Sequence, residues 1–342
     1  MKPAARIQST INVQERINDN TRVPMDSVIG DYMRQRRYIG SKDRADIAER
    51  TYDMARATAR IGWWLQKFDV EDTPRNRVLI WLMIAEGADE KRITKDLFDG
   101  SKYAPEELSA QEKHVVKLIE EGKFGGGGIT HADMPSEVKA ECPSHYEEKL
   151  KAYFGDDFET EMSAMLTPAT LDLRVNTFLA TREKAKDYLE ADGVKTKICK
   201  YSDVGLRCLQ KSYLARTKAF AKGWVEIQDE GSQLIAQMCD AKPGMQVLDY
   251  CAGAGGKTLA LAAAMERKGR IVAMDNDERR LNKGRDRYKK AKVADIIEVR
   301  PLDDNAKWLR QVRCRAYRCP LYGNRNMASK PRHALAYIRT FA

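Results

Sequence analysis

The segment Val247-Leu248-Asp249-Tyr250-Cys251-Ala252-Gly253-Ala254-Gly255-Gly256-Lys257-Thr258 constrains this chain more than any other. A hydrophobic strand runs directly into a glycine-rich turn and then a helix, so the backbone can close on a ligand at the carboxyl end of the strand. The pattern continues as strand, helix and strand. Gln246 to Asp249 reads as a strand, Lys257 to about Glu266 as a helix, Arg270 to Met274 as a strand, Glu278 to Ala291 as a helix, and Asp295 to Val299 as a third strand. Such alternation predicts an α/β fold with a doubly wound, Rossmann-like parallel sheet.

Three kinds of ligand compete for the loop. A phosphate-cradling P-loop needs glycine five residues before the Gly-Lys pair, where Cys251 stands; a dinucleotide fingerprint needs glycine at Thr258. The remaining reading is a loop for S-adenosyl-L-methionine, held by Cys251, Ala252, Gly253, Ala254, Gly255, Gly256 and Lys257. The second strand ends at Asp275, 22 residues after Gly253, where a carboxylate can accept from both ribose hydroxyls of an adenosine. Asp303, with Asp304, follows the third strand and is placed to approach the adenine amino group. The alternative for Asp275 to Asp277 is that these acids simply begin a helix.

Upstream, residues 1–124 read as a helical domain. Ile47, Met54, Thr58, Ile61 and Leu65 recur at helical spacing after a cap expected at Ser41, and Val78 to Ala85 has the density of a buried helix. The run Gly125 to Gly128, followed by Pro135 and Pro143, predicts a boundary. Residues 125–222 then read as a small α+β module, with a strand at Leu171 to Phe178, a helix at Thr181 to Glu190 and a strand at Val194 to Cys199. Residues 223–311 carry the alternating pattern. The longest apolar run is too short to span a bilayer and the N-terminus resembles no leader, so a cytoplasmic protein is expected. Seven cysteines without a CxxC pair suggest reduced thiols and no metal site. The net charge of +10 is concentrated after Asn305, where nine basic residues and no acid occur. Arg34, Arg36, Arg37, Lys42 and Arg44, with Tyr32 and Tyr38 among them, could track an RNA backbone and stack bases, or could equally be the solvated face of a helix and its turn.

At these residues the chain resembles the NOL/NOP/Sun family of RNA cytosine-5 methyltransferases, in its bacterial Fmu-like form. Gln228-Asp229-Glu230-Gly231-Ser232-Gln233-Leu234 resembles the segment before the family's first strand, and Asp249 to Thr258 its cofactor loop, with Gly253-Ala254 where many members carry alanine-proline. Leu173-Arg174-Val175-Asn176-Thr177 resembles a strand of the module preceding the catalytic domain, so Arg174 and Asn176 become candidate RNA contacts. Arg36-Arg37-Tyr38-Ile39-Gly40-Ser41-Lys42 resembles the family's N-terminal part, itself similar to the antitermination factor NusB. The resemblance implies a class I methyltransferase domain after a NusB-like domain and a small module, S-adenosyl-L-methionine as cofactor, RNA, most often ribosomal, as partner, a monomer, and 5-methylcytosine as product. It also implies a cysteine thiolate that adds to carbon six of cytosine, an aspartate on the ring nitrogen and a second cysteine for release. Their motifs, Asp-Ala-Pro-Cys and one carrying Thr-Cys, do not occur in this chain. No catalytic residue is therefore assigned, and Cys251 reads as a packed small residue.

After about Gln311 the acids and the family motifs disappear. Val312 to Tyr322, read one base out of frame, permits Phe-Asp-Val-Val-Leu-Ile-Asp-Ala-Pro-Cys, and Met327-Ala328 must contain a tryptophan codon in that frame, where the family pattern has tryptophan. Residues 312–342 are accordingly expected to be an out-of-frame basic tail. The domain would then lack its fourth strand, leaving Val247 to Asp249 as an exposed hydrophobic edge.

Overall fold

The computed structural model describes residues 1–210, 212–302 and the strand 314–316. The chain divides into two compact units, with the division between Thr167 and Pro168. Among the described residues no helix is long and apolar enough to cross a membrane.

The first unit is helical: α1 Pro3–Asp19, α2 Met25–Gln35, α3 Ser41–Ala55, α4 Thr58–Lys67, α5 Pro74–Ile80, α6 Glu90–Arg92, α7 Ala110–Glu121, α8 Ser136–Lys139, α9 Ser144–Phe154 and α10 Phe158–Met165. Its main core gathers Ile61, Trp64, Leu65 and the run Val78 to Ile84, the segment whose apolar density marked it as buried. Gly40, not Ser41, occupies the N-cap of α3, and the helical pattern read from Ile47 to Leu65 is interrupted at Arg56 and Ala57 between α3 and α4. The glycine run Gly125 to Gly128 lies inside this unit. The segment after it folds back onto the helices: the Trp64 indole donates to the Ile129 carbonyl at 2.8 Å, and the Glu141 carboxylate accepts from the Ala59 and Arg60 amides at 2.7 and 3.0 Å. A buried carboxylate that satisfies the first amides of α4 ties α8 and its neighbours to the helical core.

The second unit holds two four-stranded sheets. Strands β1 (Asp172–Val175), β2 (Thr196–Ile198), β3 (Gly205–Cys208) and β4 (Val225–Ile227), with helices α11 (Arg182–Ala191) and α12 (Lys218–Ala221), form an antiparallel sheet ordered β2-β3-β1-β4. The order and the β-α-β-β-α-β succession are those of a ferredoxin-like split unit. One face of this sheet, carrying Leu173, Val175, Leu206 and Val225, packs with Ala185, Leu189 and Ala219 of the helices. Alternation places Asp172, Arg174 and Glu226 on the opposite face.

After α13 (Glu230–Gln237), strands β5 (Gln246–Asp249), β6 (Arg270–Asp275), β7 (Ile297–Pro301) and β8 (Cys314–Ala316) form a parallel sheet ordered β7-β6-β5-β8, with α14 (Gly256–Ala264) and α15 (Glu278–Lys290) as crossovers. In chain order that is 3-2-1-4, the doubly wound arrangement. Leu259, Leu261, Ala262 and Met265, from α14 and the residue after it, join Val247 and Ile271 in the core. Along α15 only Leu281, Gly284 and Tyr288 are buried, at helical spacing on one face.

The expectation that β5 is an exposed edge is corrected here. Residues 314–316 pair with it in parallel register, Val247 opposite Cys314 and Asp249 opposite Ala316. The ladder is made by backbone groups, so a segment of almost any sequence can supply it. Hydrogen exchange at Val247 to Asp249 should therefore be slow in the full chain and should quicken in a chain ended at Gln311; equal rates in the two would show that β8 covers nothing.

Candidate functional site

The loop between β5 and α14 is shaped by two glycines in left-handed conformation, Gly253 at φ 56° and Gly255 at φ 79°. A Cβ on Gly253 would stand 2.6 Å from Nη2 of Arg280, and one on Gly255 would stand 2.3 Å from the Tyr288 hydroxyl. Both positions thus need glycine for backbone angle and for space. Cys251, Ala254, Gly256 and Lys257 are half-buried, while Ala252, Gly253 and Gly255 are buried.

Asp275 reaches the loop across the top of the sheet. Its Oδ2 accepts the Gly253 amide at 2.7 Å, and Oδ1 accepts the Asp277 amide at 2.9 Å. The helix-starting role belongs to Asp277, which caps α15 by accepting from the Arg279 and Arg280 amides at 2.9 and 3.2 Å. The first strand ends on a second buried acid, Asp249, whose Oδ2 accepts from the Thr258 hydroxyl at 2.7 Å. The sequence reading had used Asp249 and Thr258 only as motif positions; the pair locks the end of β5 to the first turn of α14. Asp303 lies outside the described residues.

Two further side chains grip the loop, one from α15 and one from the antiparallel sheet, and neither was expected there. Arg287 of α15 donates Nη1 to the Ala254 carbonyl at 2.5 Å while its Nε and Nη2 bind Glu226 at 3.2 and 2.9 Å. Arg174 of β1 donates Nη1 to the Gly256 carbonyl and to Gln228, each at 2.6 Å. Burial pushes the Arg174 guanidinium down to about 10, against the raising effect of Glu226.

Arg174 and Asn176, expected to contact RNA, are both 3% exposed and hydrogen-bonded within the protein, the Arg174 Nε being buried without a partner. The Asn176 amide donates to the Ala291 carbonyl at the end of α15 at 3.2 Å. This is a correction with a plain cause: the sheet face that carries Arg174 is covered by the parallel-sheet domain. The N-terminal cluster divides. Tyr32 is 1% exposed, with Arg36 over its ring at 3.9 Å, and Arg44 donates to the Ile39 carbonyl at 2.7 Å. Arg34, paired with Asp31, and Arg37, Tyr38 and Lys42 are exposed.

Asp172, Cys199 and Glu230 come together near β1, but as an ion-pair centre. Arg207 binds both Asp172 oxygens at 2.7 and 2.9 Å and Glu230 at 3.0 Å, and the Ser202 amide donates to Glu230 at 3.0 Å. Burial and the two acids push the Cys199 thiol up to about 11. A guanidinium where a cation would sit, beside a protonated thiol, disfavours a metal.

Two family models match, in chain order. Residues 142–213 match the RsmF/B-like methyltransferase ferredoxin-like domain, and residues 236–309 match the 16S rRNA methyltransferase RsmB/F. Ribosomal RNA small subunit methyltransferase B of Pseudomonas putida is 29% identical over 171 residues, 50% of this chain and 39% of that protein. Probable ribosomal RNA small subunit methyltransferase B of Bacillus subtilis is 36% identical over 110 residues, 32% of this chain and 24% of that protein. The matched part thus spans two fifths or less of these relatives. The crystal structure of PH0851 shares the fold, at 22% identity and TM-score 0.65, covering 90% of this chain and 71% of that one.

The Asp172 carboxylate offers a test of the module's packing. Burial would raise it, but Arg207 and its other hydrogen bonds outweigh burial and hold it below the ordinary value. Its stabilisation is therefore present above the unfolded pKa of about 3.9 and is lost as pH falls through the lower folded value. Asp172→Ala should cost about 3 kcal/mol at neutral pH, because a buried pair loses one partner. Denaturant titrations should show that deficit shrinking below pH 4; a pH-independent deficit would assign it to packing alone.

The two matched models, consecutive along the chain between residues 142 and 309, make the part that carries the ferredoxin-like sheet and the parallel sheet with its glycine loop similar to methyltransferases of RsmB/F type, the family that the sequence resembles.

Proposed function

We propose that this chain binds S-adenosyl-L-methionine in the Gly253 to Lys257 loop and derives from an enzyme that forms 5-methylcytosine in ribosomal RNA. The observation that carries the proposal is the 2.7 Å hydrogen bond from the Gly253 amide to Asp275, which sets a carboxylate beside a glycine cradle at the carboxyl end of the first strand. Asp275 would hold the ribose hydroxyls, and Asp303 would lie near the adenine. A carboxylate oxygen already accepting one amide keeps a lone pair for a hydroxyl. When bound, the cofactor supplies an activated methyl group.

For RNA we assign residues 1–124 as a NusB-like binding domain, with Arg34, Arg37 and Lys42 on its surface and Tyr38, 74% exposed, free to stack on a base. Residues 168–222, which carry most of the antiparallel sheet, and 223–311 would be the small module and the first half of the methyltransferase domain, acting as a monomer. Activation of the cytosine ring needs a positioned thiolate. Cys142, Cys199 and Cys208 are buried, and burial pushes each thiol above its ordinary value, against that role. The polypeptide as written is therefore proposed to bind RNA and cofactor without transferring the methyl group, its tail 312–342 being read out of frame.

Three outcomes are expected. Asp275→Ala should weaken S-adenosyl-L-methionine binding about tenfold or more by calorimetry, since ribose hydroxyls lose a charged acceptor; unchanged affinity would remove Asp275 from the site. Charge reversal at Arg37 and Lys42 should weaken RNA binding and flatten its salt dependence, whereas an unaltered slope would return them to a solvated helix face. Methyl transfer to ribosomal RNA from labelled cofactor should appear only when the reading frame is restored after about codon 311. Comparable turnover by the uncorrected chain would overturn the proposal of inactivity.

A further inference from the structure

We infer that the antiparallel sheet positions the cofactor loop, with Arg174 and Arg287 as the positioning residues and Glu226 as the charge that holds them in place. The inference rests on the reading of Gly253 to Lys257 as a cofactor loop and adds a role for a module otherwise assigned to RNA.

The geometry is a buried relay of charge. Arg174 and Glu226 are directly opposed on β1 and β4, so their side chains leave the same face of the sheet. Glu226, 5% exposed, accepts two hydrogen bonds from Arg287, which arrives from α15. Each arginine then spends one nitrogen on a loop carbonyl, Ala254 for Arg287 and Gly256 for Arg174. These are neighbouring turns of the same short loop, on either side of Gly255. Because a trans peptide points its carbonyl and its N–H in opposite directions, anchoring the two carbonyls fixes the direction of the Lys257 amide and reinforces that of the Gly255 amide, which donates to the Ala252 carbonyl at 2.9 Å. Lys257 belongs to the first turn of α14.

A purely structural seam between two domains would use such arginines on side chains or on helix ends, as Asn176 does at Ala291. Here both guanidinium groups end on a segment that holds two left-handed glycines, where the backbone has freedom to lose. Glu226 is hydrogen-bonded to Arg287 and acts on Arg174 through space, and the loop carbonyls take part of the remaining charge through their dipoles. Removal of either arginine should leave the loop present but loosely oriented, so its cost should appear in ligand affinity more than in folding.

The experiment uses the full chain with two variants. Arg174→Met removes both donors, and Arg287→Lys keeps the charge on Glu226 while losing the fork that spans Glu226 and Ala254. S-adenosyl-L-methionine affinity is measured by calorimetry, and amide exchange is followed at Gly253 to Lys257 and, as reference, at β1 and β3. The expected result is faster exchange confined to the loop in Arg287→Lys, with affinity about tenfold lower in both variants, as for loss of one charged hydrogen bond. Unchanged loop exchange in Arg287→Lys, or exchange quickened equally in loop and sheet, would overturn the inference and leave a structural seam. If the unaltered chain binds no S-adenosyl-L-methionine while loop exchange still quickens selectively in Arg287→Lys, positioning stands and the ligand assignment falls.

Discussion

A parallel strand buried on both faces must have its backbone groups paired on both edges, because an unpaired amide or carbonyl in a dry interior costs as much as a lost hydrogen bond. In this protein that strand is β5, with Val247 0% and Leu248 1% exposed. Everything that defines the site hangs from its carboxyl end: the glycine turn, the start of α14 and the buried acid Asp249. β6 pairs one edge and β8 the other. Since the ladder asks only for backbone groups, Cys314 to Ala316 meets the demand. Pairing of a strand and presence of a catalytic motif are separate requirements, and this chain separates them.

The seam between the two sheets follows a different rule. Burial of Arg174 is costly, and its guanidinium is held well below its ordinary value. Such a group persists only where hydrogen bonds and a counter-charge offset desolvation, here Gln228, the Gly256 carbonyl and the nearby Glu226. Arg287, Glu226 and Asn176 complete a polar layer where two hydrophobic sheet faces might have met. A layer of this kind gives one relative placement of two β-systems rather than a sliding contact, because Arg174 Nη1, Arg287 and Asn176 each donate to fixed acceptors. Gly223 fits the same picture: with φ at 72°, a Cβ there would stand 2.5 Å from the Lys290 carbonyl.

The legible parts of the chain were those with local signals. The alternation after Gly223 located β5 to the residue and β6, α14 and α15 to within a residue or two, because strand and helix periods differ and each segment is bounded by glycine or acid. Asp275 was legible from its distance to Gly253. Strands β3 and β4 were not, since three or four residues carry too short a pattern. The fate of Arg174 was also hidden. A basic residue in a strand reads as exposed unless its cross-strand partner and the body covering that face are known, and both are long-range facts. Asn176 misled for the same reason. The boundary after Gly125 to Gly128 looked sound by composition, but Ile129 and Glu141 return the chain to the helical core, and nothing near the glycines announces that.

Arg280 and Arg287 show what kind of signal was there to be found. They lie seven residues apart on α15, on one helical face, and both reach the glycine loop: Arg280 crowds Gly253, and Arg287 holds the Ala254 carbonyl. Their helix exposes charge almost everywhere else, so neither stands out by type. What distinguishes them is periodicity shared with the buried positions Leu281, Gly284 and Tyr288, the last of which closes over Gly255. A helix following the second strand of such a sheet has one edge beside the loop by topology alone. Of the two cations on that edge, Arg287 is anchored by what the loop offers it, a backbone carbonyl. The glycines supply the freedom to turn the loop carbonyls outward, the anchoring arginines remove it again, and the loop keeps one shape because both are present.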